Sequence, residues 1–294
     1  MSEYNIQMNK YNAVNAEYDQ LYPQPMKHAS THAKDGSDPI TPSMIGTYNK
    51  TEIDTALQNI NASGSGAHNS IYRGKFLGNA VTAEQYVAIG AGTFDDLYIG
   101  DYWTINGVNY RIAAFDYYLN TGYGVDSHHV TLVPDKNLYN YAMNDTNTTA
   151  GGYVGSKMYT TGLTQAKTTI NNAFGSAHIL THYKSLCNAV TNGQPSGSSL
   201  YSSTVELMAE QNLYGGKIFG AGNNGSTVPR LHTMEKSQYP LFAFRPDLIS
   251  NRNEFWLMDV ASATFFAVVS PSGIALVNNA SVVLGVRPTF SIKA

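Results

Sequence analysis

His28 and His32 stand four residues apart beside Asp35 and Asp38. Imidazole and carboxylate groups gathered round a symmetry axis can bind a transition metal. Gly36, Pro39 and Pro42 in the same stretch argue against a helix that would align them, and solvent-facing polar residues account for the pattern. His178 and His182 repeat the spacing in a stretch of helical periodicity, where both would share a face. A zinc-protease helix carries Glu directly after its first His, and here Ile179 stands in that place. Both are therefore expected to be structural, as are His128 and His129, which follow a turn at Asp126-Ser127 and should open a strand. No metal and no cofactor is expected.

Glycan hydrolysis would need two carboxyl groups about 5 to 10 Å apart across a cleft. Asp95, Asp96, Asp101, Asp116, Glu206 and Glu210 are available. Asp95 and Asp96 read as turn residues and Glu206 and Glu210 as one helix face, so no catalytic pair is assigned and no enzyme is expected. The Gly-x-Ser-x-Gly turn of a serine nucleophile is absent. Cys187 is the single cysteine, which excludes an internal disulfide and a cysteine-rich zinc site; its context reads as a helix in which it is a small buried hydrophobe. Residues 220–228 (GAGNNGSTV) offer amides without a carboxylate, a poor calcium loop.

What remains is binding without turnover. Tyr214, Asn223, Asn224, Asn251, Asn253, Phe265 and Phe266 combine aromatic faces with amides in or near expected loops. A sugar ring stacked on an aromatic while amides read its hydroxyls is ordinary recognition physics, and these seven form the candidate ligand-binding set. Phe265 and Phe266 are adjacent in one expected strand and so face opposite ways, which puts one of them in the core. Trp103, Trp256, Gly285, Arg287 and Pro288 read instead as fold-determining, with Arg287 expected to be satisfied by a carboxylate or by carbonyls inside the domain.

The elements that must position these residues fall into zones. Residues 1–48 read as an extended arm, with no persistent period over 1–26 and Gly and Pro punctuation beyond. In 49–61, Asn49 and Glu52 have capping-box spacing, and Ile53, Ala56, Leu57 and Ile60 form one apolar stripe. So short a helix is marginal alone in water, and the expected partner is the same helix in other copies, a trimeric coiled coil. Gly64-Ser65-Gly66 reads as a flexible joint within 49–70. Residues 71–294 read as one α+β domain. Tyr102–Ile105 and Val108–Ile112 flank Asn106-Gly107, a strong hairpin signal. Helices are expected over 161–174, with Leu163, Ala166, Ile170 and Phe174 on one face, over 177–191, and more weakly over 204–212. Strands follow at Phe255–Val260, Ala263–Val269, Ile274–Val277 and Val283–Ile292, with a turn at Pro271-Ser272-Gly273.

Charged residues are 13% of the chain, against roughly 25% in an average soluble protein, while Tyr (21) and Gly (26) are abundant. Such a surface of hydroxyls, amides and rings is the chemistry of adhesive contacts. With a net charge of −3 and no basic run, docking on nucleic acid is not expected. No apolar run is long enough to span a bilayer, and the first residues lack the pattern of a secretory signal, which fits a virion component released by lysis.

Several stretches are similar to known proteins. The opening YNIQMNKYNAVNAEYDQLYPQ resembles the start of tail and fibre proteins in phages of Firmicutes, HASTHAKDGSDPITPSMIGT is similar to a fibre segment of the same proteins, and TYNKTEIDTAL looks like a recurrent motif of trimeric fibres. The large domain resembles a Firmicutes prophage family of C-type-lectin-like fold, related to the variable proteins of diversity-generating retroelements. The resemblance is carried by GDYWTINGVNYRIAAFDY (100–117), GGYVGSKMYTTGL (151–163), STVELMAEQNLYG (203–215), FWLMDV (255–260) and LGVRPTFSI (284–292). Met258 departs from the Arg usual in that family. The resemblance implies a homotrimeric virion fibre or receptor-binding protein: residues 1–26 dock on another virion protein, and the lectin-like domain binds a host cell-surface glycan or protein. The alternatives are a structural head-fibre or baseplate component and a glycan-cleaving spike; the related formylglycine-generating chemistry is excluded by the lack of a second cysteine.

Overall fold

Two Asn-Gly pairs turn the chain back on itself. Asn106 and Gly107 have φ of 51° and 73°, and Asn192 and Gly193 have φ of 52° and 73°; these left-handed pairs match the twist of the flanking strands. The structure is a computed structural model that describes residues 7–13, 51–53, 65–121, 124–220 and 237–294. The chain divides into two units, Met1–Asn59 and Ile60–Ala294. In the first, residues 7–13 are helical with every side chain exposed, where an extended arm is expected. Gln7, Met8 and Lys10 are good helix formers, and no Gly or Pro interrupts them. Residues 51–53 are helical and Ile53 is 47% exposed. The other stripe residues, Ala56, Leu57 and Ile60, lie outside the described residues, as do His28, His32, Asp35 and Asp38.

The second unit is a mixed α/β structure dominated by β-sheet. It opens with α1 (Ser65–His68) and continues through β1 (Phe76–Gly78), α2 (Ala83–Ala91), β2 (Tyr102–Ile105), β3 (Val108–Phe115), β4 (Val130–Pro134) and β5 (Tyr139–Ala142). A π-helical turn at Met158–Gly162 leads into α3 (Leu163–Phe174). Then come β6 (His182–Thr191), β7 (Gln194–Ser203), β8 (Val205–Leu207), α4 (Glu210–Tyr214) and α5 (Pro240–Phe244). The last strands are β9 (Phe255–Val260), β10 (Phe265–Val269), β11 (Ala275–Asn279), β12 (Val283–Val286) and β13 (Pro288–Ile292). One sheet has the order β1-β2-β3-β4-β13-β8, a second β11-β10-β9-β12-β5, and β6 and β7 form a separate ribbon. Among the described residues no helix is long and apolar enough to cross a membrane.

Residues 65–70, expected in the flexible joint, pack on the domain. His68 is 1% exposed with Nδ1 2.6 Å from the Leu97 carbonyl oxygen, and the Asn69 amide bonds both backbone groups of Phe115. Helix α3 buries the expected face of Leu163, Ala166, Ile170 and Phe174. Phe174 packs against Tyr110 and Phe290 of the six-stranded sheet, with ring centroids 5.1 and 5.2 Å away. Trp103 donates to the Gln85 side chain, which also closes the Thr82 capping box of α2; Trp256 donates to the Tyr141 carbonyl.

Three expectations are corrected. The helix expected over 177–191 is a short 3₁₀ turn (Ser176–His178) followed by β6, so Cys187 and His182 sit on a strand and His178 and His182 share no helix face. The helix expected over 204–212 is strand β8 followed by α4, which separates Glu206 from Glu210. The single strand expected over Val283–Ile292 is two strands in different sheets: β12 pairs with β5 and β9, and β13 pairs with β4 and β8.

Arg287 occupies the crossing between those two sheets. It is 1% exposed and donates from Nε to Pro134 O (2.8 Å), from Nη1 to Ile249 O (2.8 Å) and from Nη2 to Leu248 O (3.0 Å). Burial lowers its pKa to about 10, so it is still a cation at neutral pH. The rings of Phe242 and Phe255 cover it at 5.7 and 5.2 Å. Gly285 lies just before the crossing, where a Cβ would come within 1.8 Å of Asn137 Nδ2. Replacing Arg287 by Leu removes the donor that three carbonyls share at the crossing, and the expected loss of unfolding free energy is about 3–5 kcal/mol. Urea titration checks it; a loss below about 0.5 kcal/mol, the level of an ordinary surface change, would deny Arg287 this role.

Candidate functional site

Glu210 is the first residue of α4 and is wholly buried. Its carboxylate reaches forward and accepts the backbone N–H groups of Ile218 (2.9 Å), Phe219 (3.0 Å) and Gly220 (2.7 Å). Three backbone N–H groups held by one buried side chain fix the path of residues 218–220. Ile218 and Phe219 are thereby held at the surface, 53% and 43% exposed. Gly220 is needed here: a Cβ would fall 2.9 Å from Asp259 Cβ, 3.0 Å from Glu210 Oε2 and 3.1 Å from Asp259 Oδ1.

Asp259 lies on β9 and is 8% exposed. Its Oδ2 accepts the Glu210 N–H at 2.7 Å and its Oδ1 lies 3.9 Å from Lys217 Nζ. Burial raises the Asp259 pKa; the Lys217 charge opposes that shift and the Glu210 charge adds to it. Asp259 and Lys217 line a small cleft with Tyr153, Ser185, Cys187 and Met258. It has room for a water molecule and not for a sugar ring. Burial likewise raises the Cys187 pKa, which disfavours the reactive thiolate.

A third buried acid bonds Tyr153 of the cleft wall. Glu206 on β8 accepts from Tyr153 Oη and Ser203 Oγ, both at 2.8 Å. Burial raises its pKa, against the lowering effect of these two donors and of Lys184. The Lys184 side chain is buried on the inward face of β6, and its ammonium makes no hydrogen bond to the described residues. His182, two residues before it, stacks on Tyr118 at 3.8 Å, and burial lowers its pKa to about 3. The ribbon above turns Tyr183 and Leu200 outward, 50% and 45% exposed, and Asn188 Nδ2 donates to Ser199 Oγ and Tyr201 Oη.

The proposed ligand-binding residues are only partly brought together. Tyr214 is half-buried and donates to Gly273 O at 3.0 Å. Asn251 donates to Asn137 Oδ1 and accepts the Asn253 N–H, and Asn253 is exposed. These three lie where β10 turns into β11. Phe265 is half-exposed at the opposite end of the same strands, since Val269 pairs with Phe255 and Phe266 pairs with Val260. Phe266 is wholly buried and belongs to the core, which removes it from the set. Asn223 and Asn224 lie outside the described residues.

Reading the sequence missed Lys217, Ile218, Phe219 and Asp259. Asp259 had a signal, a lone acid in the apolar run FWLMDV, because a buried carboxylate must have partners. Ile218 and Phe219 had a weaker one, an apolar pair between glycines. Of the carboxylates considered, Asp96 sits in a turn with φ 52° and pairs with Arg73 and Lys75; Asp116 bonds the His129 N–H and His128 Nδ1. Among the described residues no group of three side chains could hold a metal ion. No family model, no curated protein and no solved structure matches the chain.

Glu206 gives a pH signature. Its pKa is raised by folding, so its stabilising part is complete below the unfolded carboxyl value, about pH 4, and is lost as pH rises through the raised folded value. Glu206→Gln removes the charge, keeps one acceptor oxygen for Tyr153 Oη and turns an amide N–H toward Ser203 Oγ, which can rotate to accept it. Its unfolding free energy, measured against urea from about pH 4 to about pH 7, is expected to gain on wild type as pH rises; parallel curves would sink the assignment.

Proposed function

We propose that the chain is a phage virion fibre subunit that binds a glycan or protein on the surface of its bacterial host through a lectin-like domain, without turning it over. One observation carries the reading: a fully buried carboxylate, Glu210, is devoted to fixing the three residues that present Ile218 and Phe219 to solvent. Buried charge is costly, and a rigid scaffold that fixes an exposed apolar loop is how binding loops are built. The fibre-like stretches, the few charges and the many tyrosines support the same reading. Phe265 lies at the Asp259 end of β9 and β10 and adds a half-exposed ring, Tyr214, Asn251 and Asn253 offer polar groups at the other end, and Asn223 and Asn224 follow the fixed residues in sequence. The cleft at Lys217 and Asp259 is too small for a sugar, so contact is made across the outer surface.

Trimerisation through Ile53, Ala56, Leu57 and Ile60 and attachment through residues 1–26 belong to the same proposal. Three weak sites on one fibre would act together with an avidity well beyond one site. The test is adsorption of the purified full chain to host cells, with soluble carbohydrate followed in the same tube. Saturable adsorption without release is expected, reduced about tenfold or more by Ile218→Ser with Phe219→Ser, since apolar anchors dominate binding energy. Release of carbohydrate would make the chain an enzyme. Adsorption unchanged by the double substitution would reject this surface as the receptor contact.

A further inference from the structure

We propose that Lys217 and Asp259 become joined by an intramolecular amide bond that the folded protein forms by itself. Three features of the geometry point to it, independently of what the domain binds. The Lys217 Nζ stands 3.9 Å from Asp259 Oδ1 at the edge of the cleft, a loose ion pair in which a small swing of the lysine side chain brings the nitrogen onto Cγ. The second carboxyl oxygen, Oδ2, already accepts the Glu210 backbone N–H at 2.7 Å, a donor placed where negative charge would develop on addition of the amine. The Glu210 carboxylate is close by: its Oε2, which also accepts the Gly220 N–H, and Asp259 Oδ1 lie 3.0 and 3.1 Å from where a Cβ on Gly220 would stand.

The step balances without a co-reactant. The Lys217 ammonium loses a proton and its lone pair attacks Asp259 Cγ. The C–N bond forms, Oδ2 carries the transient negative charge against the Glu210 N–H, and Oδ1 leaves as water after receiving two protons from the nitrogen. Glu210 Oε2 is placed to relay those protons. An ion pair of one positive and one negative charge becomes a neutral amide and one water, and the cleft has room for that water. Burial favours the neutral Asp259 carboxyl, the form an amine can attack. The bond would tie the residues after α4 to β9, beneath the exposed Ile218 and Phe219.

An ordinary ion pair leaves both side chains intact, so the mass of the full-length protein decides. Wild type is expected one water lighter than its sequence, and a digest should yield one branched peptide joining Lys217 to Asp259, with no tryptic cleavage after Lys217. Lys217→Arg, which keeps the charge beside Asp259, is expected at its full sequence mass while folding normally by circular dichroism. Glu210→Gln keeps the backbone N–H and is expected to accumulate the bonded form at least tenfold more slowly. Wild type at its full sequence mass overturns the proposal. So does a water lost equally from Lys217→Arg, which would place the loss elsewhere. Bond formation in Glu210→Gln at the wild-type rate overturns the relay.

Discussion

The domain depends on the enclosure of one cation. Strands β12 and β13 are consecutive in sequence but belong to different sheets, and the residue between them cannot pair with either ladder. Arg287 fills that gap with a planar fork whose donors meet carbonyls of Pro134, Leu248 and Ile249. Those carbonyls come from the end of β4 and from the turn before β9, so a single side chain ties two separate stretches of backbone to its own at the crossing. A lysine could carry the charge, but its point-like ammonium lacks the fixed geometry to reach all three. The aromatic rings on either side keep water out, which strengthens each bond and makes its loss costly.

The same device recurs toward the surface with the sign reversed. Glu210 collects three backbone N–H groups and thereby fixes residues 218–220, and its own N–H is used by Asp259. Asp101 does likewise where the chain enters the sheet, bonding the backbone of Lys75 and Tyr98 and the guanidinium of Arg73. In each case a buried ion satisfies backbone groups that no sheet or helix could satisfy, and irregular segments become rigid without an apolar core of their own.

How much of this could be read from residues alone varied with the physics involved. The hairpin at Asn106-Gly107 was legible because its strands alternate cleanly on either side. The equal signal at Asn192-Gly193 was overlooked because Ile179, Leu180, Tyr183, Leu186, Cys187 and Val190 fit a helical period. The register of β6 explains the confusion: it shifts between Cys187 and Ala189 and again before Val190, so inward positions fall out of alternation. The face of α3 and the strand Phe255–Val260 emerged at their true places, since local periodicity fixes them. The break at Arg287 did not, because β12 and β13 are both apolar runs and a change of pairing partner leaves no local trace. The site suffered most, as Glu210 acts through backbone groups eight to ten residues away that no side-chain pattern records.

The low charge content and the buried ions are two aspects of one arrangement. Among the described residues seven ionisable Asp, Glu, Lys and Arg side chains are buried, Asp101, Asp116, Lys184, Glu206, Glu210, Asp259 and Arg287, in a chain where charged residues are only 13%. Five of them, Asp101, Asp116, Glu210, Asp259 and Arg287, bond backbone groups, and Glu206 bonds two hydroxyls. The exposed side chains of Ile218 and Phe219 take no part in holding the fold, whereas the path of residues 218–220 is set by a carboxylate beneath them.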